Sequence, residues 1–186
     1  MDVSDLKKNA KIQIDGQPWV VVEFNFVKPG KGQGLYKCKI KNMLTHSVVD
    51  RTYRSGEKLE EADVEMRGYQ FLFATGDGYT FMDSSTYEQV ELATSAVGDD
   101  SRFLMDEINV DILIFEGRPV GLILPSHVVM EVTECEPGVK GDTATGATKT
   151  ATMQTGFALQ VPLFIKPGER LKIDTRTGHY VERVNK

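Results

Sequence analysis

The sequence predicts an all-β fold of three small barrels. Three observations carry this: runs of Val, Ile, Phe and Tyr at alternate positions, tight-turn residues between those runs, and a charge partition that divides the chain into thirds. The 186 residues, 40% hydrophobic and 26% charged, have a globular composition that excludes disorder, collagen and coiled coil. In chain order, Asp15-Gly16 separates the apolar-alternating stretch Lys11 to Ile14 from Trp19 to Phe24, a hairpin signal. Gly76-Asp77-Gly78 does the same between Tyr69 to Phe73 and Tyr79 to Met82. Glu116-Gly117 joins Asp111 to Phe115 with Val120 to Leu124, and Thr177-Gly178 joins Leu171 to Asp174 with Tyr180 to Val184. Helical signal is confined to Ser84 to Leu92 and Asp100 to Ile108, too short to anchor a doubly wound α/β sheet.

The expected units are 1–64, 65–128 and 129–186, with net charges of +2, −8 and +1. The breaks fall in the acidic stretch Glu57 to Glu65 and near the turn Glu134-Cys135-Glu136-Pro137-Gly138. Units of about 60 residues can close as five-stranded barrels of the SH3-like or OB type and gain stability by packing on one another. No residue-level repeat relates the second unit to the third, so any likeness between them is architectural.

Apolar runs such as Ile112 to Phe115 and Val120 to Pro125 fall far short of the roughly 20 residues of a membrane helix. Met1 to Lys11 carries charges of both signs and no apolar core of a secretory signal, so a cytoplasmic protein with no membrane partner is expected. Cys38 and Cys135 stand far apart with no CxxC or CxxH neighbour, which argues against a disulfide framework or a zinc site.

Charge is concentrated where chemistry is most plausible. Lys28 to Arg54 contains seven basic residues (Lys28, Lys31, Lys37, Lys39, Lys41, Arg51, Arg54) and one acid, Asp50, so a polyanion can be met there while the acidic middle turns elsewhere. Within it lies Lys28-Pro29-Gly30-Lys31-Gly32-Gln33-Gly34. Proline fixes one backbone angle, and glycines at 30 and 32 permit positive φ on both sides of Lys31, so the loop is expected to thrust that amine outward. The Walker pattern is absent, because Gly32 and Gln33 follow where a Ser or Thr and a helix should come.

A second polar stretch, Gly138 to Thr152, reads as a long loop whose threonine hydroxyls and glycine N–H groups suit sugar, phosphate or base edges. Asp142 beside Thr143 offers one carboxylate, too few for a metal site. His46, His127 and His179 are spread over the three units without a nucleophile elbow, and no GxSxG or HExxH occurs. The pairs Asp99-Asp100 and Glu60-Glu61 read as solvated connections. Trp19 and the stripe Tyr69, Phe71, Phe73, Tyr79 and Phe81 read as core rather than as a base-stacking platform. The residues by themselves therefore lead to a non-enzymatic barrel protein with one projecting lysine and nucleic-acid contact.

The segment Lys28-Pro29-Gly30-Lys31-Gly32-Gln33 resembles the modified loop of bacterial translation elongation factor P. Gly138 to Ala144 followed by Ala151 to Gly156 is similar to that family's third-domain loop. Val161 to Ile165, Leu171 to Gly178 and Tyr180 to Val184 are similar to its C-terminal signature. The resemblance implies an SH3-like (KOW-like) barrel followed by two OB folds, set in an L resembling tRNA, in a monomer without a bound cofactor. It implies a factor that binds both ribosomal subunits between the peptidyl-tRNA and exit sites and relieves stalling at consecutive prolines. Lys31 matches the tip lysine that reaches the CCA end of the peptidyl-tRNA, and which in many members an enzyme extends, for example by β-lysylation. Gly141, Asp142 and Thr143 match a loop that approaches the small subunit and the messenger in the exit site. Departures from the pattern are Gly34-Leu35, where many members have alanine and an aromatic, Thr150, where proline is frequent, and His179, at a turn position often acidic. The alternative is a paralogous factor-P-like protein or a general RNA-binding barrel protein. An enzyme using Lys31 as a Schiff-base nucleophile would require a buried amine, which an exposed loop between glycines does not provide.

Overall fold

A computed structural model describes residues 1–30, 32–138 and 146–184. Lys31 and the loop residues Gly141, Asp142 and Thr143 lie outside the described residues. The chain is all-β, in three curled five-stranded antiparallel sheets. In the first, β1 (Lys11–Ile14), β2 (Gln17–Val27), β3 (Leu35–Asn42), β4 (Val48–Arg54) and β5 (Glu60–Glu61) follow the order β4-β3-β2-β1-β5. Asp15 and Gly16 both take positive φ, which a two-residue type I′ hairpin turn requires, and Glu116-Gly117 repeats the device. A short 3-10 turn, Val3–Asp5, plugs the first sheet with Val3 and Leu6 against Ile12, Val21, Cys38 and Ile40.

The second sheet comprises β6 (Val64–Ala74), β7 (Gly78–Asp83), β8 (Gln89–Ala93), β9 (Asn109–Phe115) and β10 (Arg118–Ile123), ordered β10-β9-β6-β7-β8. The third comprises β11 (His127–Cys135), β12 (Thr148–Met153), β13 (Ala158–Pro162), β14 (Arg170–Asp174) and β15 (Tyr180–Val184), ordered β13-β12-β11-β14-β15. Renumbered within each unit, both sheets read 3-2-1-4-5, with strands three and five approaching to close the curl. This is OB connectivity, shared by two segments with no residue-level repeat. They differ between strands three and four. The second sheet carries a helical turn there, α1 (Thr94–Val97) continued by a 3-10 turn (Gly98–Phe103), whereas the third makes the same crossing with turns around the buried Ile165.

One turn recurs once in each sheet. Asn42, Asp83 and Asp174 each end a strand, accept a hydrogen bond at the main-chain carbonyl from the N–H four residues on, and meet positive φ there, at His46, Tyr87 and Gly178. The Asn42 side-chain oxygen accepts the N–H groups of Leu44 and Thr45, the Asp83 carboxylate those of Ser85 and Thr86, and Asp174 that of Arg176. This turn corrects the expected helix over Ser84 to Leu92. Asp83 takes the N–H groups that would have begun a helix, and Gln89 onward runs as β8. The expected helix over Asp100 to Ile108 is likewise replaced by the 3-10 turn ending at Phe103 and irregular chain beyond it.

The aromatic stripe is core for Tyr69, Phe71 and Phe81, partly so for Tyr79; a register shift between Phe71 and Phe73 ends the alternation and leaves Phe73 exposed. The expected loop Gly138 to Thr152 becomes strand β12 at Thr148. β-Branched threonines suit an extended chain, and Ala151 and Met153 point into the third core. Glu60–Glu61, expected to be a connection, pairs with β1.

The sheets meet at two junctions. Met43 from the first packs on Leu113, Phe115 and Val120 of the second. Phe103, from the second unit's 3-10 turn, is fully buried among Met130, Val132, Met153 and Leu171 in the core of the third. Among the described residues no helix is long and apolar enough to cross a membrane.

Candidate nucleic-acid interface

The longest hairpin is β2–β3, paired from Trp19 opposite Asn42 to Val27 opposite Leu35. Its inner half is held in the core by Val21, Cys38 and Ile40, while β2 beyond Val22 is mostly exposed, so the hairpin stands out of the sheet as an arm. The loop 28–34 closes that arm. Lys28, Pro29, Gly30, Gly32 and Gln33 are all exposed at its end. Gly32 has φ of +150°, whereas Gly30 does not adopt positive φ, so only one of the two glycines uses the freedom expected of both. Rings of Phe24, Tyr36 and Phe26 form a column up the arm, with centroids 5.8 Å and 4.7 Å apart.

Beside the arm, the first sheet holds an open groove of about 810 Å³ lined by Lys7, Lys8, Lys37, Lys39 and Arg51 against two carboxylates, Glu23 and Asp50. Glu23 accepts a 3.1 Å hydrogen bond from Lys39, which raises the pKa of that amine. Lys7, Lys8, Lys37 and Arg51 form no ion pair among the described residues, so their charge is available to a polyanion. The basic stretch noted in the sequence is therefore divided. Lys37, Lys39 and Arg51 share the groove, Lys28 is at the tip, and Lys41 faces the second unit. Lys7 and Lys8, distant in sequence, complete the groove because the turn at Val3–Asp5 brings them alongside; a paired lysine before the first strand was the available signal.

Lys41, Lys11 and His46 form one wall of a cleft of about 490 Å³ between the first and second units, with Asp99 and Asp100 on the other. Asp100 is not the solvated residue expected: partial burial raises its carboxyl pKa, opposed by Arg102. Burial and the Lys41 charge lower the pKa of the His46 imidazole. The second unit's only basic residues are the arginines Arg67, Arg102 and Arg118. Its other surface charge is acidic, so a polyanion would be repelled from it.

In the third unit, Glu136 caps the N–H of Thr150 at 3.0 Å, a bond that lowers the carboxyl pKa, and Gln160 bridges Thr148 and Thr150. These contacts anchor one side of the loop whose residues 139–145 lie outside the described set. His179 sits just past the positive-φ Gly178, its N–H donating to Thr177 Oγ1.

Adjacency in the fold brings Ser126, His127 and Asp174 together, which the sequence did not suggest. Ser126 Oγ is 3.0 Å from His127 Nδ1, and His127 Nε2 is 3.9 Å from Asp174. Asp174, however, is engaged by the Arg176 guanidinium at 2.8 Å and by backbone N–H groups, which hold its carboxyl far below the usual range. The three line none of the clefts described, so the arrangement is a turn scaffold and not a nucleophilic centre. Among the described residues no three His, Cys, Asp or Glu side chains converge as a metal site.

Comparison with known proteins accounts for all three sheets. Residues 2–59 match the elongation factor P (EF-P) KOW-like domain, 64–122 the elongation factor P (EF-P) OB domain, and 128–183 the family described as elongation factor P, C-terminal. A protein named elongation factor P from Syntrophus aciditrophicus is 50% identical over 181 residues, covering 97% of each chain. Its namesake from Desulfatibacillum aliphaticivorans is 49% identical over 186 residues, the whole of both. Among solved structures, the eukaryotic translation initiation factor 5A from Methanococcus jannaschii is similar with a TM-score of 0.52 at 25% identity, over 66% of this chain and 92% of that one. With three family domains in order and half-identical relatives along the full length, the chain belongs to the elongation factor P family of translation elongation factors.

Proposed function

We propose that this chain binds the ribosome between the peptidyl-tRNA and exit sites and stimulates peptide bond formation at consecutive prolines, with Lys31 reaching toward the CCA end of the peptidyl-tRNA. The observation that carries the reading is the projecting β2–β3 arm beside a groove in which Lys7, Lys8, Lys37 and Arg51 form no ion pair among the described residues. Lys28, Pro29, Gly30, Gly32 and Gln33 present Lys31 in this reading, and the groove holds tRNA phosphates. Gly141, Asp142 and Thr143 approach the small subunit and the messenger in the exit site.

Proline reacts slowly because its ring restricts the chain, so the reacting ends are seldom aligned. A cationic arm laid along the CCA backbone restores alignment, and orientation lowers a barrier by several kcal/mol without new bond chemistry. The ribosome remains the catalyst; this chain is not an enzyme and requires no cofactor. Extension of Lys31 by a modifying enzyme, for example with a β-lysyl group, adds reach and hydrogen-bond donors. The factor works as a monomer in the cytoplasm.

The test is reconstituted translation of a template with three consecutive proline codons, with protein purified from its own host compared with Lys31→Ala. Full-length product is expected to rise only with the unaltered chain, and intact mass then identifies the modification. A second reading rests on the groove, which is independent of the tip: an RNA-binding barrel protein would keep salt-sensitive RNA affinity in Lys31→Ala and leave proline runs unaffected.

A further inference from the structure

Three strands of the first sheet present a row of side chains toward the second unit. Lys11 of β1 lies opposite Val20 of β2, and Val20 opposite Lys41 of β3. Residues paired in register point to the same side of a sheet, and Val20 packs with Met43 against the second unit, so the two lysines flank it on that side. His46, in the turn after β3, lines the same wall. The cleft they border holds about 490 Å³. Its floor is apolar, with Leu113, Val120 and Leu122, and its far wall is the turn that carries Asp99 and Asp100.

The charges on the two walls face each other without meeting. Lys11, Lys41 and Asp100 are each half-buried, yet none belongs to an ion pair among the described residues. Burial raises the pKa of the Asp100 carboxyl, and Lys41, after Arg102, acts against that shift from across the cleft. Charges taken partly out of water without partners oppose folding. A molecule lying between the walls supplies both sets of partners at once: an anionic end for the lysines, hydrogen-bond donors for the carboxylates, and a ring against the apolar floor. Small-molecule sites have this size, roughly 300–1,000 Å³, and occur preferentially where two domains meet.

We propose that this cleft binds a small phosphorylated ligand with hydrogen-bond donors at its far end, the class to which nucleoside 5′-monophosphates belong. The phosphate lies against Lys11 and Lys41, since two ammonium groups suit a dianion. Burial, and then Lys41, lower the pKa of His46, so its ring is neutral near pH 7 with one N–H to donate. Hydroxyl or amino groups of the ligand reach Asp99 and Asp100. A bare anion or an uncharged nucleoside leaves one wall without partners. The site is separate from the arm's tip and from the basic groove, and it goes beyond the proposed function without resting on it: a bound ligand ties the arm-bearing unit to the second unit whatever the arm contacts.

Guanosine 5′-monophosphate is the probe, titrated into the full chain and followed by calorimetry and by NMR of the His46 ring and of the Val97, Gly98 and Leu122 amides. Those signals should shift, and the His46 pKa should rise on binding, because a phosphate beside the imidazolium favours its charged form. Lys41→Ala should weaken binding by about tenfold and Asp100→Asn by about threefold, the scale of one lost charge-assisted hydrogen bond. Guanosine and inorganic phosphate should each bind at least about tenfold more weakly than the nucleotide. A guanosine–uridine dinucleotide bearing a 5′-phosphate separates two sources: binding as tight as the monophosphate supports a seat for an RNA end, and exclusion supports a free nucleotide. The proposal is overturned by unshifted signals up to about 5 mM probe, by shifts confined to Lys37, Lys39 and Arg51, by undiminished binding in Lys41→Ala, or by inorganic phosphate matching the nucleotide.

Discussion

Where the second unit meets the third, a side chain crosses over. Phe103 leaves its own unit to be fully buried in the neighbour's core, and Arg102 beside it lies over the rings of Phe103 and Phe157 at 4.8 Å and 5.0 Å. Thr155 donates to the Arg102 carbonyl at 2.6 Å and Thr175 to that of Pro125 at 2.5 Å. Where the second unit meets the first, Met43, with Val20 and Ala62 beside it, packs against Leu113, Phe115 and Val120, and next to this contact opens the cleft between Lys11, Lys41 and His46 and the two aspartates. No ion pair spans that cleft among the described residues. Two units of one fold class are thus joined by a core residue that one lends to the other, while the unit bearing the arm and its tip is joined through an apolar contact flanked by complementary charge.

The sharpest way to break the contrast is Phe103→Ala. It empties a space in the third core and should cost about 3–5 kcal/mol. Scanning calorimetry should show the third unit melting apart from the second, where the unaltered chain melts the two together. Smaller in size is Asp83→Ala, which removes the acceptor of two N–H groups in the β7–β8 turn, with an expected loss of about 1–3 kcal/mol in urea unfolding. Asp83→Asn should keep most of that stability, since Asn42 makes the same turn in the first unit. Thr175→Val leaves the Pro125 carbonyl without its donor and should cost about 1 kcal/mol, again loosening the junction of the second and third units only.

At the junction of the first and second units, Lys41→Glu places like charge opposite Asp100. The distance between fluorophores on the first and third units should lengthen, and the change should shrink as salt is added, an effect of well under about 1 kcal/mol. The smallest expected effects are on pH dependence. Asp174 is held below its unfolded pKa by Arg176 and backbone N–H groups, so its stabilisation is complete above about pH 4 and is lost as pH falls further toward its folded value. Asp174→Asn should therefore flatten the acid limb of the stability curve. Asp100 is shifted the other way by burial; ionising it opposes folding, and Asp100→Asn should raise the melting temperature slightly at neutral pH and leave it unchanged in acid.

How much of this could be read from the residues depends on the range of the forces involved. The hairpins at Asp15-Gly16, Gly76 to Gly78, Glu116-Gly117 and Thr177-Gly178 were legible because their turns are specified locally by Gly and Asp. Ser84 to Leu92 misled, since its polar spacing suits a helix until the Asp83 carboxylate takes the first N–H groups. The recurring Asn or Asp followed three residues later by Thr, at 42, 83 and 174, was an available signal for that turn. Thr148 to Thr152 looked like a loop because threonine is polar, although its β-branching favours a strand. Of the candidate site, the tip sequence was legible and the groove was not, because Lys7 and Lys8 join it only through the plug at Val3–Asp5. Nothing local marks Phe103 as belonging to a neighbour's core; an apolar residue in a short helical turn is claimed by whichever unit leaves room for it.

The acidic middle unit carries its positive charge on arginine alone, which bears on reactivity as well as on repulsion. Guanidinium groups are not acyl acceptors at neutral pH, whereas amines are. Any enzyme or reagent that acylates lysine therefore finds no target along residues 65–128, and every side chain that can be so labelled lies in the outer units. Amine-directed cross-links within one molecule can then bridge only within an outer unit or from one to the other. Each bridge of the second kind reads the separation of the two ends directly, with no contribution from the middle.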